Sequence, residues 1–246
     1  MSFFLPPLFA LALLAFPLWM VRRARRSAAI SSGQSRGAYG LVAALALWSV
    51  VLVALGLRGI HEALAAWPVA PQVLWQAVVP VAIVMLALLV PSLREALAIL
   101  GDVTPWRALI AIQAFRIGAI GSVVKALRGD ISSSFPLWVG IPDFLFGASA
   151  LLVAVLYARG RIEHRLTFLT AWSLVGAAII LVPTFGLMPY WMHEPGFAFI
   201  FEFPMVLAPG IAVPVLVLLN LLLAWRSLVA GRSGLPADDV GLVRRA

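Results

Sequence analysis

A single arginine in the middle of an apolar run is the residue of this chain most able to do chemistry. Arg116 stands about 10 residues from either end of the run 105–126, which puts it about 15 Å deep if that run crosses a bilayer as a helix. An unpaired arginine at that depth costs about 2.5–3.5 kcal/mol on insertion scales, so it must face the bundle interior and take a partner. Asp143 is the best partner. It lies about 7 residues, or ~10 Å, into the next apolar run, and the short polar turn Gly129–Pro136 makes the two runs antiparallel neighbours. The arginine can snorkel outward to close the remaining gap. Gln113 lies one turn before Arg116 on the same face, and Asn220 and Gln76 are further buried amides able to bond across helices. Two readings of this set stand side by side. Arg116, Asp143, Gln113 and Asn220 either line a ligand or ion path, or form a buried polar network that locks helices together.

Other chemistries are narrowed by what is missing. There is no cysteine, which excludes disulfides, thiolate catalysis, iron–sulfur clusters and Cys-based zinc sites. The only lysine, Lys125, falls at the end of its apolar run, so no Schiff base forms within a late span. A haem needs histidines at depth on facing helices, whereas His61, His164 and His193 all fall in loops. His61 and His193, with Glu62 and Glu194, are weak candidates for a surface metal site. No GxSxG, HExxH or phosphate-loop pattern occurs, and the residues leave a cofactor, whether pigment, quinone or lipid, unassigned.

The elements that must position these residues are membrane helices. The chain has 246 residues, 63% hydrophobic and 11% charged. Its mean hydropathy is +1.05. Soluble domains carry about a quarter charged residues, and a core of this length could not hide so much apolar surface. The expected fold is all-α and polytopic, a single transmembrane domain over 1–226 with a tail over 227–246. Seven spans are predicted at about 3–21, 38–57, 72–90, 105–126, 137–157, 166–186 and 204–225, each enough to cross a ~30 Å core.

Charge sets the predicted orientation. Of the 18 basic residues, 14 fall on one side: Arg22, Arg23, Arg25, Arg26, Arg36, Arg94, Arg107, Arg159, Arg161, Arg165, Arg226, Arg232, Arg244 and Arg245. Arg58, Lys125 and Arg128 fall on the other. Positive loops stay inside, so the N-terminus is expected outside and the C-terminus in the cytoplasm, with the first run an uncleaved anchor. The net charge of +8 is read as topogenic and as meeting anionic lipid; nucleic acid is not an expected partner. Ser92–Leu100, after Pro91, reads as an amphipathic helix at the interface. The aromatic-rich loop 187–203 reads either as a belt at headgroup level or as a lid over a cavity.

A weak internal echo accompanies this layout. Leu47-Trp48-Ser49-Val50 resembles Ala171-Trp172-Ser173-Leu174, and Val79-Pro80-Val81 resembles Val213-Pro214-Val215. A 3+1+3 repeat would fit a small-solute transporter with Arg116, Asp143 and Asn220 along the path.

The series Phe115-Arg116, Phe135-Pro136, Gly140, Asp143, Gly147, Trp172, Gly176, Pro204, Pro209 and Val213-Pro214 is similar to a family of uncharacterised bacterial multi-pass membrane proteins. The likeness covers about the C-terminal half and implies no known activity. Where that pattern commonly carries a histidine on the last helix this chain has Asn220, and Leu181 stands where a second acid is often found. The expectation is therefore a multi-pass protein of a bacterial inner membrane. It acts as a non-catalytic subunit or binding component, with membrane lipid and other membrane subunits as partners. The alternatives are the transporter and a membrane enzyme with its site near His193 and Glu194.

Overall fold

The computed structural model of the protein describes residues 5–58, 71–191, 193–194, 196–197, 200 and 202–233. Among them there are helices and no strands. The helices are α1 (Leu5–Arg26), α2 (Ser32–Leu57), α3 (Pro71–Leu89), α4 (Pro91–Val103), α5 (Trp106–Leu127), α6 (Pro136–Ala158), α7 (Leu166–Trp191) and α8, which opens with the turn Ala208–Ala212 and continues through Val213–Ser233. Six are long and apolar enough to cross a membrane, or seven if α3 and α4, which meet at 108°, count as one bent span. Leu47, Val50, Leu86, Leu152 and Val182 stand more than half exposed on their helices. In water such surfaces would drive aggregation; facing lipid tails they need no cover. Helix α8 runs on to Ser233, past position 227.

The helices alternate in direction, so side chains collect at two ends. At the arginine-rich end Arg23 reaches Val103, Gln34 reaches Glu95, and Thr170 meets Ser227. At the opposite end Gly56 lies against Phe203, and Phe135 against Trp191.

Helix α4 lies across the arginine-rich end. Pro91 cannot continue the helix before it and holds Val90 extended, which produces the sharp bend. Ala96, Leu100 and Gly101 are its buried face. Its last carbonyls, which no later turn can satisfy, are taken up by arginines. Arg226 donates from Nη1 to Thr104 O at 2.7 Å and from Nη2 to Asp102 O at 3.1 Å, and Arg23 Nε donates to Val103 O at 3.2 Å. The Arg226 guanidinium also lies 4.5 Å over the Trp106 ring. Read in sequence as one more topogenic charge, Arg226 is buried and ties α8 to α4.

Among the described residues, three of the long helices depart from α geometry. Residues Ile112–Ala119 of α5 wind as a 3₁₀ helix, which lengthens that segment by about 4 Å and stacks residues three apart. Helices α6 and α8 each contain a five-residue π turn, Pro136–Gly140 and Ala208–Ala212. Each π turn ends two residues before a proline, Pro142 or Pro214, whose ring would strike the carbonyl four residues back. The chain avoids that clash by widening: Ile141 N–H reaches back to Pro136 O and Val213 N–H to Ala208 O.

The segment after α7 folds back on the turn between α5 and α6. Trp191 is wholly buried, with ring centroids 5.3 Å from Phe135 and 6.2 Å from Phe197. Glu194 accepts hydrogen bonds from Ser132 and Ser134. Gly196 takes φ +76°, and a methyl group there would run into the Asp130 carbonyl. These aromatics form a small core of their own rather than a headgroup belt, although Tyr190 is exposed. Phe199 and Phe201 lie outside the described residues.

Candidate functional site

Arg116 occupies the middle of the 3₁₀ segment, with 2% of its surface exposed. The close approach of α6 makes this burial possible. A methyl group on Gly147 would stand 2.8 Å from the Arg116 carbonyl carbon, so only glycine lets the two backbones come this near. From there Arg116 Nε donates to Asp143 Oδ1, one turn past the π turn of α6. The guanidinium plane lies 4.5 Å from the centroid of Phe146. Phe146 in turn stacks on Trp172 of α7 at 4.5 Å, in the space left by Gly176. Trp172 Nε1 completes the series by donating to Ser149 Oγ at 3.0 Å. Arginine, with its flat and weakly hydrated cation, suits such a stack; lysine would not.

The 3₁₀ winding sets Gln113 directly in line with Arg116. Gln113 Nε2 donates to Leu216 O of α8 at 3.3 Å rather than to the arginine. One turn further along the same face of α8 stands Asn220, fully buried. Thus α5 carries Arg116 and Gln113, α6 carries Asp143 and Phe146, and α8 carries Asn220.

Much of this polar surface has no hydrogen-bond partner in the protein. Arg116 Nη1 and Nη2, Gln113 Oε1, Ser173 Oγ, and Oδ1 and Nδ2 of Asn220 are all buried without one. A buried polar atom left unmatched costs about 1–3 kcal/mol. These six atoms, left dry, would offset a stability on the scale of a whole domain, about 5–15 kcal/mol. Buried donors and acceptors are normally matched, so these atoms are the exceptional feature of the helix interior.

The remaining sequence candidates are scattered. His193 is exposed, and Glu194 is held by serines. His164 lies at the arginine-rich end, exposed, 3.2 Å from Glu163. His61 and Glu62, and the side chain of Gln76, lie outside the described residues. Among the described residues no three His, Asp or Glu side chains are grouped to hold a metal ion. Phe146, Ser149 and Ser173 were not singled out from sequence. Their signal was present as an aromatic facing Trp172-x-x-x-Gly176 at helical spacing, but apolar aromatics on a span carry no sign of what they stack on.

No curated protein and no solved structure matches the chain. Residues 70–228 match a family model described as a domain of unknown function, DUF8737. That match takes in α3 to α7 and most of α8, and with them Arg116, Asp143, Gln113 and Asn220, and covers well over half of the sequence. The chain belongs to the DUF8737 family.

Proposed function

We propose that the protein is a seven-span component of a bacterial cytoplasmic membrane, N-terminus outside and C-terminus inside, that binds a small neutral oxygen-bearing molecule at Arg116. The topology rests on the gathering of 14 of the 18 basic residues on one side of the predicted spans. The binding role rests on one observation: both terminal nitrogens of a fully buried, mid-span arginine have no hydrogen-bond partner in the protein.

The chemistry of the set selects the ligand class. Asp143 already balances the charge of Arg116. An added anion would bring uncompensated charge into a low-dielectric interior, which is strongly unfavourable. A carbonyl or hydroxyl oxygen can instead accept from Nη1 and Nη2 without adding charge, and a hydroxyl can donate to Gln113 Oε1. Phe146 stacks against the guanidinium and Gly147 draws α6 against its backbone, so the donors are held in place before binding.

Native mass spectrometry of the full chain released from lipid nanodiscs tests this reading. The expected result is one adduct of defined mass on the wild-type protein that is lost from the folded Gln113→Leu variant. A wild-type protein free of adduct, or an adduct unchanged by that substitution, overturns the reading and leaves the pair as a helix lock.

A further inference from the structure

The α7–α8 interface carries a second polar feature, separate from the arginine and independent of whether a ligand occupies it. On α8 the residues Asn220, Ala224, Ser227 and Gly231 recur at helical spacing, and on α7 the residues Thr170, Ser173 and Ala177 do the same. The two helices run antiparallel with a register set by two contacts. Thr170 Oγ1 and Ser227 Oγ stand 2.6 Å apart, and Ala177, Ile180 and Val217 pack together. This register brings Asn220 level with Ala177 and Ser173 level with Ala224. Ser173 and Asn220 are both fully buried, and neither side chain finds a hydrogen bond.

The two ends of this seam differ. Toward the arginine-rich end the next positions are Gly231 and Thr167. Thr167 is exposed, and a methyl group added at Gly231 would meet nothing within 4 Å. Toward the opposite end the seam stops at Ile180 and Val217, with Leu181 and Val213 packed behind them. The interval from Ser227 to Asn220 is about 10 Å along the helix, so the seam reaches to about the middle of a ~30 Å core.

From this we infer that the α7–α8 seam is a hydrated half-path, open to water at the arginine-rich end and closed beyond Asn220 by the Ile180–Val217 plug. A file of water supplies the donors and acceptors that Ser173 and Asn220 lack. It also delivers water, and any solute no larger, to within one helical turn of the Leu216 carbonyl that Gln113 holds. The Thr170–Ser227 pair, buried and directly hydrogen-bonded, is the narrow neck that must part to admit each water.

The chain has no cysteine, so single cysteines report directly. The variants are Ser227→Cys, Ser173→Cys, Ala177→Cys and Asn220→Cys in the seam, Leu174→Cys and Leu221→Cys at lipid-facing positions, and Val217→Cys in the plug. Silver ion, close to water in size and unable to cross lipid, is applied to one face of membrane vesicles at a time. Surviving thiols are then counted with a maleimide after denaturation. Thiols in dry apolar surroundings stay protonated and react slowly, so the seam cysteines should be consumed about tenfold or more faster than Leu174→Cys and Leu221→Cys. This should occur only from the face carrying Arg159–Arg165, with Val217→Cys slow from both faces. If Ser173→Cys and Ala177→Cys, the two mildest replacements, react no faster than the lipid-facing controls, the seam is a dry polar zipper and the inference fails. Equal rates at Asn220→Cys and Val217→Cys would likewise overturn the closed end. Neither outcome depends on an adduct at Arg116.

Discussion

Arg116 and Asp143 are buried together as an ion pair, and removing either one strands the charge of the other. Arg116→Leu leaves a buried carboxylate without its partner, and Asp143→Leu leaves a buried guanidinium. Each single change should cost about 3–5 kcal/mol, read as a lowered midpoint in denaturation of the detergent-solubilised protein. Gly147→Ala sets a methyl group against the Arg116 backbone and should cost about 1–3 kcal/mol in the same assay, because backbone there cannot give way as a side-chain tip would. At this scale much was legible. A lone arginine at mid-span demands an acid, and the short turn between two runs left few acids within reach. The aromatic stack was not legible, because Phe146 and Trp172 belong to different helices whose facing is decided by packing. The assignment of Arg226 to a topogenic role shows the same limit: position at the end of an apolar run reveals the charge but not the carbonyls it satisfies.

The elements depart from ideal helices at the proline-bearing turns and at the arginine, and the reasons differ. The π turns of α6 and α8 follow from Pro142 and Pro214, and around Pro209 and Gly210 the helix is widened rather than interrupted. The 3₁₀ stretch of α5 has no proline within it. It coincides with the close approach of Gly147 and with the line-up of Gln113 and Arg116, neither of which spacing alone could reveal. Helix α4 depends on borrowed donors at its end. Arg226→Ala removes two of them and should raise amide hydrogen exchange over residues 99–105, with about 1.5–3 kcal/mol lost from its docking. Retention of native protection there would show that Arg23 alone suffices. The loop after α7 is tied down by polar contacts that sequence did not pair. Ser132→Ala with Ser134→Ala leaves Glu194 without those donors, and exchange at residues 193, 194, 196 and 197 should rise while the long helices keep their protection.

For the whole molecule, a composition that is 63% hydrophobic was enough to predict an all-helical chain, and the structure has six or seven helices long and apolar enough to cross a membrane. The number of spans was less legible, because the α3–α4 bend leaves six or seven by length and hydropathy. The proposed topology predicts that a reporter active only in the cytoplasm works when fused after the C-terminus and fails at the N-terminus. The claim on which the rest turns is that the Arg116 network recognises a bound molecule and does more than fasten α5 to α6. The double variant Arg116→Leu with Asp143→Leu separates the two roles, since exchanging a buried ion pair for apolar side chains is often neutral or stabilising. Its denaturation midpoint and its native mass spectrum, taken on one preparation, give the most direct answer. The account predicts a midpoint close to wild type with the adduct gone. A double variant that is equally stable and still carries the wild-type adduct would contradict it.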